Sequence, residues 1–372
     1  MPPVYLLIKP SSGMCNLQCE YCFYCDETKN RENASYGFMS ESTMEQVVKK
    51  ALEAAEGSCT FAFQGGEPTL IGLPFYRRVM EMQREYNKKK ISIHNAIQTN
   101  GYGLTREWAE FFHDNAFLVG ISVDGTIHTH NSYRKSPGGA DTFLDVMKTV
   151  DLFRAGGVEY NILTVVHNKT AMAVDKIYQY YKKMGFMYQQ YIPCLDPLGQ
   201  AGGQREYSLS PEDYGRFLCR LFELWYDDWR HGREVHIRQF ENYLSILLTG
   251  QAESCDMNGF CSIQNVVEAN GDVYPCDFFV LDEYRLGNLN TDSLEEMRTC
   301  ETARRFVERS LAKPGPCTKC VYYGICRGGC YRHRIMTEGE NGEDYFCKSY
   351  QMLFDRHLGR MREMAGSLRR FV

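Results

Sequence analysis

Short apolar segments alternate with helical patterns along the first 230 residues, and this alternation restricts the fold more than any other feature. The segments are rich in β-branched and aromatic residues, as strands are. They lie at residues 4–9, 60–65, 92–99, 117–123, 160–166 and 187–192. Helical patterns lie near residues 40–56, 74–88, 105–114, 142–156 and 170–184, and a further helix opens at 209–213.

Strands that alternate with helices predict a parallel sheet with helices on the outside. Six such units do not complete an eight-stranded barrel. We therefore expect an α/β protein with an open, partial (β/α)6 barrel that resembles part of a TIM barrel. In such folds the chemistry lies at the carboxyl ends of the strands.

The alternation stops near residue 233, and a different kind of sequence follows. Residues 255–347 are rich in cysteine and glycine and contain few clear elements. Such a segment buries little apolar surface and needs bound metal to hold it. The predicted domains are a barrel at 1–233, a linker and cysteine-rich extension at 234–347, and a C-terminal helix at 348–372. The helical pattern itself extends from about residue 344 to residue 368.

Charge and hydropathy exclude several classes of protein. The net charge of −5 argues against a general nucleic-acid binder. No apolar run approaches the roughly 20 residues that cross a membrane, and the first residues lack the basic start of a signal peptide. We expect a cytoplasmic protein with neither a membrane nor a nucleic acid as partner.

Sixteen cysteines are too many for a large cytoplasmic chain unless they have a role. In a reducing compartment, clustered cysteines bind metal more often than they form disulfides. The isolated ones are expected to be small buried hydrophobic residues; they are Cys59, Cys194, Cys219 and Cys300. The others form one group near each end of the chain.

The first group lies in the segment CNLQCEYCFYC at residues 15–25. Cys15, Cys19 and Cys22 have the spacing C-x3-C-x2-C, and Cys25 follows. A structural zinc ion needs four closed ligands, whereas three thiolates can hold a [4Fe–4S] cube with one iron open to a substrate. Because the segment follows the first strand and places the aromatic Tyr21 before the third cysteine, the cube is favoured.

The second group could form two sets of four ligands. Its members are Cys255, Cys261, Cys276, Cys317, Cys320, Cys326, Cys330 and Cys347. Two zinc ions or two iron–sulfur cubes both agree with these spacings. The spacing does not show how the cysteines divide into two sets.

Other candidate residues follow the predicted strands. In the segment GGEP, Gly65 and Gly66 would let the backbone approach a ligand closely, and Glu67 could accept a hydrogen bond from an ammonium group. Read alone, this segment would be an ordinary turn. Further candidates, which could also be cap or surface residues, are Ser122, Arg134 and Leu195.

One carboxylate lies directly beside a candidate metal ligand. Asp277 follows Cys276 in the segment YPCDF. A carboxylate within hydrogen-bond reach of a reacting group can act as a general base. The alternative is that Asp277 only caps a turn.

The segment CNLQCEYC resembles the C-x3-C-x-aromatic-C hallmark of the radical S-adenosylmethionine (SAM) superfamily. The resemblance implies that the open iron binds the amino and carboxylate groups of SAM. It also implies that Gly65, Gly66 and Glu67 lie at the SAM amino group. The residues implied to contact the SAM ribose, carboxylate and adenine are Ser122, Arg134 and Leu195, and Tyr21 belongs to the same cofactor site. The hallmark does not need Cys25.

The C-terminal cysteines resemble the SPASM extension of radical SAM enzymes, which carries two auxiliary [4Fe–4S] clusters. This resemblance implies three clusters in the whole chain. It assigns the first auxiliary cluster to Cys255, Cys261, Cys276 and Cys330. It assigns the second to Cys317, Cys320, Cys326 and Cys347.

Segments along nearly the whole chain, among them FAFQGGEPTL, CLDPL and VYPCDF, resemble the anaerobic sulfatase-maturating enzymes. The resemblance implies oxidation of a cysteine or serine of an unfolded sulfatase to Cα-formylglycine by way of a 5′-deoxyadenosyl radical. It also implies that Asp277 accepts the proton and that a donor such as flavodoxin or ferredoxin supplies the electron. The alternatives are a maturase that crosslinks or epimerises another peptide, and a non-enzymatic iron–sulfur electron-transfer protein.

Overall fold

The computed structural model describes residues 3–336 and 342–368. Its strands are β1 (Val4–Ile8), β2 (Ser58–Phe63), β3 (Ser92–Thr99), β4 (Phe117–Ser122), β5 (Tyr160–Val166), β6 (Tyr188–Pro193), β7 (His236–Ile237), β8 (Val266–Val267), β9 (Asp272–Tyr274) and β10 (Gly287–Asn288).

The helices include many short ones. They are α1 (Phe23–Lys29), α2 (Glu41–Ala54), α3 (Leu73–Tyr86), α4 (Arg106–Asp114), α5 (Ile127–Tyr133), α6 (Phe143–Ala155), α7 (Asn168–Ala171), α8 (Val174–Lys183), α9 (Pro211–Arg230), α10 (Arg238–Thr249), α11 (Leu294–Thr299), α12 (Glu301–Leu311), α13 (Tyr323–Cys326), α14 (Tyr331–Arg334) and α15 (Cys347–Leu368).

The chain divides into two compact units whose segments alternate along the sequence. The first unit comprises residues 1–122, 134–160 and 262–307. Its strands follow one another in the order β10-β9-β8-β1-β2-β3-β4. The strands β1 to β4 are parallel, β8 pairs in parallel with β1, and β8, β9 and β10 pair with antiparallel neighbours.

The core of the first unit is aromatic. Tyr76 on α3 packs its ring edge-on against Phe63 on β2 and against Trp108 on α4, with ring centroids 5.1 and 5.4 Å apart. Both β1 and β2 are mostly buried, as expected for parallel strands covered on both faces. The carboxyl ends of β1, β2, β3 and β4 therefore lie along one edge of a rigid sheet.

The second unit comprises residues 123–133, 161–261 and 308–372. Its strands β5, β6 and β7 are parallel neighbours. The longest helices, α9 and α15, pack along each other, with Tyr214 against Phe346 and Phe222 against His357. No described helix is long and apolar enough to span a membrane.

The elements agree with the expected alternation over the first 230 residues. Strands β3 and β5 have the predicted bounds, and the other four differ by one or two residues at one or both ends. We did not predict α1, α5, β7 or α10, nor α11 and α12 in the cysteine-rich segment. The sequential division at residues 233 and 347 stays a prediction, and residues 369–372 of its last part lie outside the described residues.

Candidate active site

The loop between β1 and α1 carries the first three cysteines. The Cys15 sulfur accepts a hydrogen bond from the Asn100 amide at 3.5 Å, and the Arg134 guanidinium donates to the Cys19 sulfur at 3.9 Å. Cys22 is the N-cap residue of α1. Donors directed at sulfur are contacts that orient and stabilise thiolate ligands, so the loop fits a cluster held by three cysteines.

The thiols of this loop differ in their protonation. Burial raises the pKa of Cys15 to about 12, so a positively charged metal is needed to make it a thiolate. A hydrogen bond with Cys22 lowers the pKa of Cys25 to about 7. Cys25 is exposed. No disulfide joins any of the sixteen cysteines, all of which lie in the described part of the chain.

The loop after β2 lies against the cysteine loop. Gly66 has φ +52°, and a Cβ there would overlap the Met14 carbonyl oxygen. The Glu67 N–H donates to that same carbonyl at 2.8 Å. Only a residue without a side chain fits this close approach, so GGEP and the cysteine loop are held as one assembly.

The Glu67 carboxylate is fully buried and is used largely by the protein itself. Its Oε1 accepts hydrogen bonds from the Thr69 N–H, the Thr69 hydroxyl and the Thr99 hydroxyl, at 3.1, 2.6 and 2.8 Å. Its Oε2 accepts one from the Asn100 N–H at 2.8 Å. The side chain thus ties the ends of β2 and β3 together, and its role toward a SAM ammonium group stays a prediction.

The remaining predicted SAM contacts are placed by different elements. The Arg134 guanidinium contacts the cysteine loop at two points. It lies 5.5 Å from the centre of the Tyr21 ring and donates to the Cys19 sulfur. Ser122 is the buried last residue of β4. Leu195 is buried just after β6 in the second unit. The roles of these residues stay predictions.

Asp277 lies in a buried polar network of the first unit. It opens a short 3-10 turn, Asp277–Phe279. Its Oδ2 accepts hydrogen bonds from the Tyr24 hydroxyl at 2.6 Å and from the Gln64 amide at 2.7 Å. Its Oδ1 is buried and has no hydrogen-bond partner. Burial raises the pKa of Asp277, although the charge of Lys9 opposes the shift.

A buried ion pair between Lys9 and Glu27 lies next to this network. The Lys9 ammonium lies 3.4 Å from the Glu27 carboxylate and 4.5 Å from the centre of the Tyr24 ring. Glu27 also accepts a hydrogen bond from the Val280 N–H at 3.4 Å. Helix α1 therefore holds the turn that carries Asp277 at two points, through Tyr24 and through Glu27.

The sequence did not indicate most of these partners. Tyr24 lies inside the cysteine segment, on α1, whereas Gln64 directly follows β2 and precedes GGEP, so the strand end was the available signal for Gln64. Lys9 and Glu27 were not selected as candidates. Nothing in the spacing predicted that residues some 250 positions apart, such as Tyr24 and Asp277, would meet.

Four cysteines of the C-terminal group surround one cavity in the second unit. Counted together with the solvent space at its mouth, the cavity has a volume of about 360 Å³. Its lining includes Cys317, Cys320, Cys326 and Cys347 together with Tyr322, Tyr350 and Phe354. Thiols facing an otherwise mostly apolar space are what a sulfur-ligated cluster requires. Among the described residues, no three His, Cys, Asp or Glu side chains converge on a site for a single metal ion.

Three further cysteines of the second unit influence one another. Burial is the main cause of the raised pKa of Cys330, and the nearby Cys261 and Cys255 contribute. Burial also raises the pKa of Cys261, while the Arg334 guanidinium opposes that shift. Cys276, the fourth predicted member of this set, follows β9 in the first unit.

Asp344 connects ligand segments of both predicted sets. Its carboxylate accepts hydrogen bonds from the Cys330 N–H at 3.1 Å and the Phe346 N–H at 2.7 Å. It also lies 3.2 Å from His333. Its backbone carbonyl accepts from the Cys347 N–H at 2.8 Å. Sequence reasoning did not select Asp344, since an isolated aspartate in a loop carries no signal.

Comparison with protein families agrees with a site for iron–sulfur clusters and SAM. The radical SAM superfamily matches residues 10–181, and an iron–sulfur cluster-binding domain, SPASM, matches residues 255–321. The chain is thus a radical SAM protein with a SPASM extension. The predicted fold class is confirmed, as are the predicted cofactors, SAM and three [4Fe–4S] clusters.

Relatives that match nearly the whole chain indicate which group of radical SAM enzymes it belongs to. A cysteine-type anaerobic sulfatase-maturating enzyme of Clostridium perfringens (strain 13) is 45% identical and covers 99% of this chain and 100% of its own. A serine-type enzyme of Bacteroides thetaiotaomicron is 33% identical over 95% of this chain and 89% of its own. A solved structure of native anSMEcpe with bound AdoMet and the Cp18Cys peptide matches with a TM-score of 0.95 and 44% identity, over 99% of this chain and all of the other. The chain belongs to the anaerobic sulfatase-maturating enzymes, and the prediction of a radical SAM enzyme is confirmed.

Proposed function

We propose that this chain oxidises a cysteine of a sulfatase segment to Cα-formylglycine and that Asp277 is its catalytic base. The observation that carries the proposal is the state of the Asp277 carboxylate. One oxygen is fixed by Tyr24 and Gln64, while the other is buried without a partner. A buried acceptor that the fold leaves unsatisfied is costly, and a substrate thiol would satisfy it.

The reaction divides between cofactors and protein. When bound, SAM and the N-terminal cluster supply abstraction of a hydrogen atom from Cβ of the target. Asp277 takes the proton of the target thiol as the carbon centre gives up its second electron, for which an auxiliary cluster would be the acceptor. Water then replaces the sulfur, which leaves as sulfide, and the aldehyde remains. Tyr24 and Gln64 hold Oδ2, so that Oδ1 keeps a fixed position for that transfer. Lys9 and Glu27 hold Tyr24 and the turn of Asp277.

The remaining site residues take the roles that the family resemblance implies. We propose Cys15, Cys19 and Cys22 as ligands of the SAM-binding cluster, which agrees with the donors directed at the sulfurs of Cys15 and Cys19. The proposed SAM contacts are Tyr21, Gly65, Gly66, Glu67, Ser122, Arg134 and Leu195. The proposed ligands of the auxiliary clusters are Cys255, Cys261, Cys276 and Cys330 for one, and Cys317, Cys320, Cys326 and Cys347 for the other.

Cysteine is the proposed target because of the relatives. Enzymes described as cysteine-type are 44–45% identical to this chain, whereas those described as serine-type are 29–33% identical. The electron donor is proposed to be a flavodoxin or ferredoxin, and the location the cytoplasm. The lack of disulfides among the sixteen cysteines agrees with a reducing compartment.

The test is anaerobic turnover of a sulfatase peptide with the motif Cys-x-Pro-x-Arg by the reconstituted Asp277→Asn variant. Asparagine keeps the size and most hydrogen bonds of aspartate but cannot take the proton. We expect 5′-deoxyadenosine to form, while formylglycine falls by about a hundredfold to ten-thousandfold. Mass spectrometry of the peptide and chromatography of the nucleoside measure the two products.

The matched control is Asp282→Asn, an exposed aspartate on the next turn of the same segment. It should yield wild-type amounts of both products. Normal formylglycine from well-metallated Asp277→Asn protein would exclude Asp277 as the base. Parallel assays with a serine peptide test the proposed preference, which fails if serine is oxidised as fast as cysteine.

A further inference from the structure

Arg334 is the largest fully buried side chain of the described residues, and it lies on α14 between the last two cysteines of the C-terminal group. All three nitrogens of its guanidinium donate to backbone carbonyl oxygens, at distances from 2.9 to 3.2 Å. The acceptors are Gly259, Ser310, Ala312, Gly328 and Gly329.

These carbonyls belong to three separate segments of the second unit. Gly259 lies two residues before Cys261, and residues 328–329 lie between Cys326 and Cys330. Residues 310–312 lead into the segment of Cys317, and the Ser310 hydroxyl also accepts a hydrogen bond from the Cys261 N–H at 2.8 Å. One side chain therefore fixes three backbone segments that carry cysteines of both auxiliary sets.

Regular structure does little to hold these segments in place. Helices α13 and α14 have four residues each, which is too short to be stable alone. Hydrogen bonds from a charged donor contribute more to stability than those from a neutral donor. The guanidinium is a planar fork with five N–H groups, so it can join several carbonyls that no single neutral side chain could reach.

The charge of Arg334 is also held close to the ligand segments. Its guanidinium donates to the Gly259 carbonyl, two residues before Cys261, and to the carbonyls of Gly328 and Gly329, which lie between Cys326 and Cys330. Iron–sulfur clusters with thiolate ligands carry net negative charge, and their reduction potentials depend on nearby charges and on burial. Reduction adds a further negative charge, so a fixed positive charge nearby favours the reduced state.

We propose that Arg334 is a positioning residue for the auxiliary clusters, holding their ligand loops with its guanidinium and raising their reduction potentials with its charge. The inference rests on the proposed ligand sets. It concerns a residue outside those sets and outside the chemistry at Asp277. The proposal predicts effects on two properties that can be measured separately. The hydrogen bonds of the guanidinium affect the retention of iron, and its charge affects the reduction potentials of the clusters.

The experiment uses the full chain with Cys15→Ala, Cys19→Ala and Cys22→Ala, so that the auxiliary clusters are the iron centres under observation. Into this parent we introduce Arg334→Gln, which removes the charge, and Arg334→Lys, which keeps the charge but removes the fork. The control is Arg332→Gln, a buried arginine on the same short helix that donates to the Asp196 carbonyl. Iron release to a chelator and redox titration followed by electron paramagnetic resonance are the readouts.

We expect Arg334→Gln to release iron about 10- to 100-fold faster than the parent, as for other groups that orient metal ligands, and to lower the potentials. Arg334→Lys should release iron faster but keep potentials nearer those of the parent. Arg332→Gln should match the parent in iron release. If Arg334→Gln does not fold, faster release by Arg334→Lys still supports the proposal, and unchanged release by it overturns the proposal.

The outcomes separate this inference from the proposed ligand sets. A parent that binds zinc, or no iron, refutes the auxiliary clusters themselves. A parent with full auxiliary iron whose Arg334→Gln variant keeps both iron release and potentials unchanged refutes the role of Arg334 alone.

Discussion

The two cysteine regions of the chain are built in different ways. Cys15, Cys19 and Cys22 lie on one loop between a strand and a helix, and the side chains that contact their sulfurs come from neighbouring strand ends and loops of the same unit. Cys317, Cys320 and Cys326 lie on segments with only short helices, whereas Cys347 begins the long helix α15. Buried polar side chains such as Asp344 make the connections between these segments.

This difference indicates how far the folding of each region depends on its bound cluster. The parallel sheet of the first unit buries its own aromatic core, so its cysteine loop has a scaffold that does not need the cluster. The C-terminal segments bury little apolar area and rely on side-chain hydrogen bonds and on bound clusters. The first cluster should therefore matter mainly for chemistry, and the auxiliary clusters for chemistry and folding together.

The largest expected effect is the loss of SAM cleavage. Cys15→Ala, Cys19→Ala and Cys22→Ala should each abolish formation of 5′-deoxyadenosine, because three thiolates are needed to leave a single open iron. The fold and roughly eight of roughly twelve irons should remain, four for each auxiliary cube. Iron analysis and nucleoside assays check this. Cys25→Ala is the control, and loss of cleavage in that variant would contradict the assignment.

Removal of all iron should separate the two regions. After chelation, backbone amides of residues 315–334 should exchange hydrogen faster by about a hundredfold or more, because metal binding there contributes to folding. Amides of β1 to β4 should exchange as in the loaded protein. Hydrogen exchange followed by mass spectrometry resolves the segments. Equal loss of protection in both regions would show that the proposed difference is wrong.

Gly66→Ala tests how closely GGEP packs on the cysteine loop. Alanine must adopt φ +52° and would meet the Met14 carbonyl. We expect the free energy of unfolding to fall by about 1–3 kcal/mol and SAM binding to weaken. Denaturant titration and SAM titration measure the two effects. Gly359→Ala in α15, where a Cβ meets no atom, should instead stabilise by about 0.5–1 kcal/mol.

The smallest expected effect concerns pH and the second unit. His357 is buried between α9 and α15, and burial lowers its pKa. The unfolded chain then binds a proton that the folded protein does not, so stability should fall as pH drops through about 6.5, by at most about 1.4 kcal/mol per pH unit. Unfolding measured against pH should show a weaker slope for His357→Phe, and an unchanged slope would contradict this assignment.

The sequence predicted the sheet because its signals are local. Strands β3 and β5 alternate or cluster apolar residues over seven or eight positions and are bounded by polar residues, so their ends were read correctly. Helix α10 was missed because the predicted barrel ended near residue 233, although its pattern is amphipathic. Helices α11 and α12 were missed because they lie in a segment whose cysteine spacing indicated metal binding rather than helices. Ser293, which caps α11, was the local signal for a helix.

Candidate ligands could be selected from the sequence, but the side chains that surround them could not. The cysteines and Asp277 stand beside recognisable spacings. Gln64, Lys9 and Glu27 acquire meaning only when residues distant in sequence meet, as Val280 meets Glu27 across 253 positions. A buried charge such as Arg334 looks the same in sequence as an exposed one, because only the fold decides where its guanidinium points.

The pairing of β1 has a consequence for synthesis of the chain on the ribosome. One edge of β1 pairs with β2, but the other pairs with β8, where Ile8 meets Val267. At 5–20 residues per second, that edge stays open for roughly 15–50 s after β1 emerges. An unpaired strand edge is a template for pairing with other chains. A nascent chain of this protein therefore exposes an unpaired strand edge until residues 266–277 are made. That segment completes both the pairing of β1 and the hydrogen bonds of Asp277 with Tyr24 and Gln64.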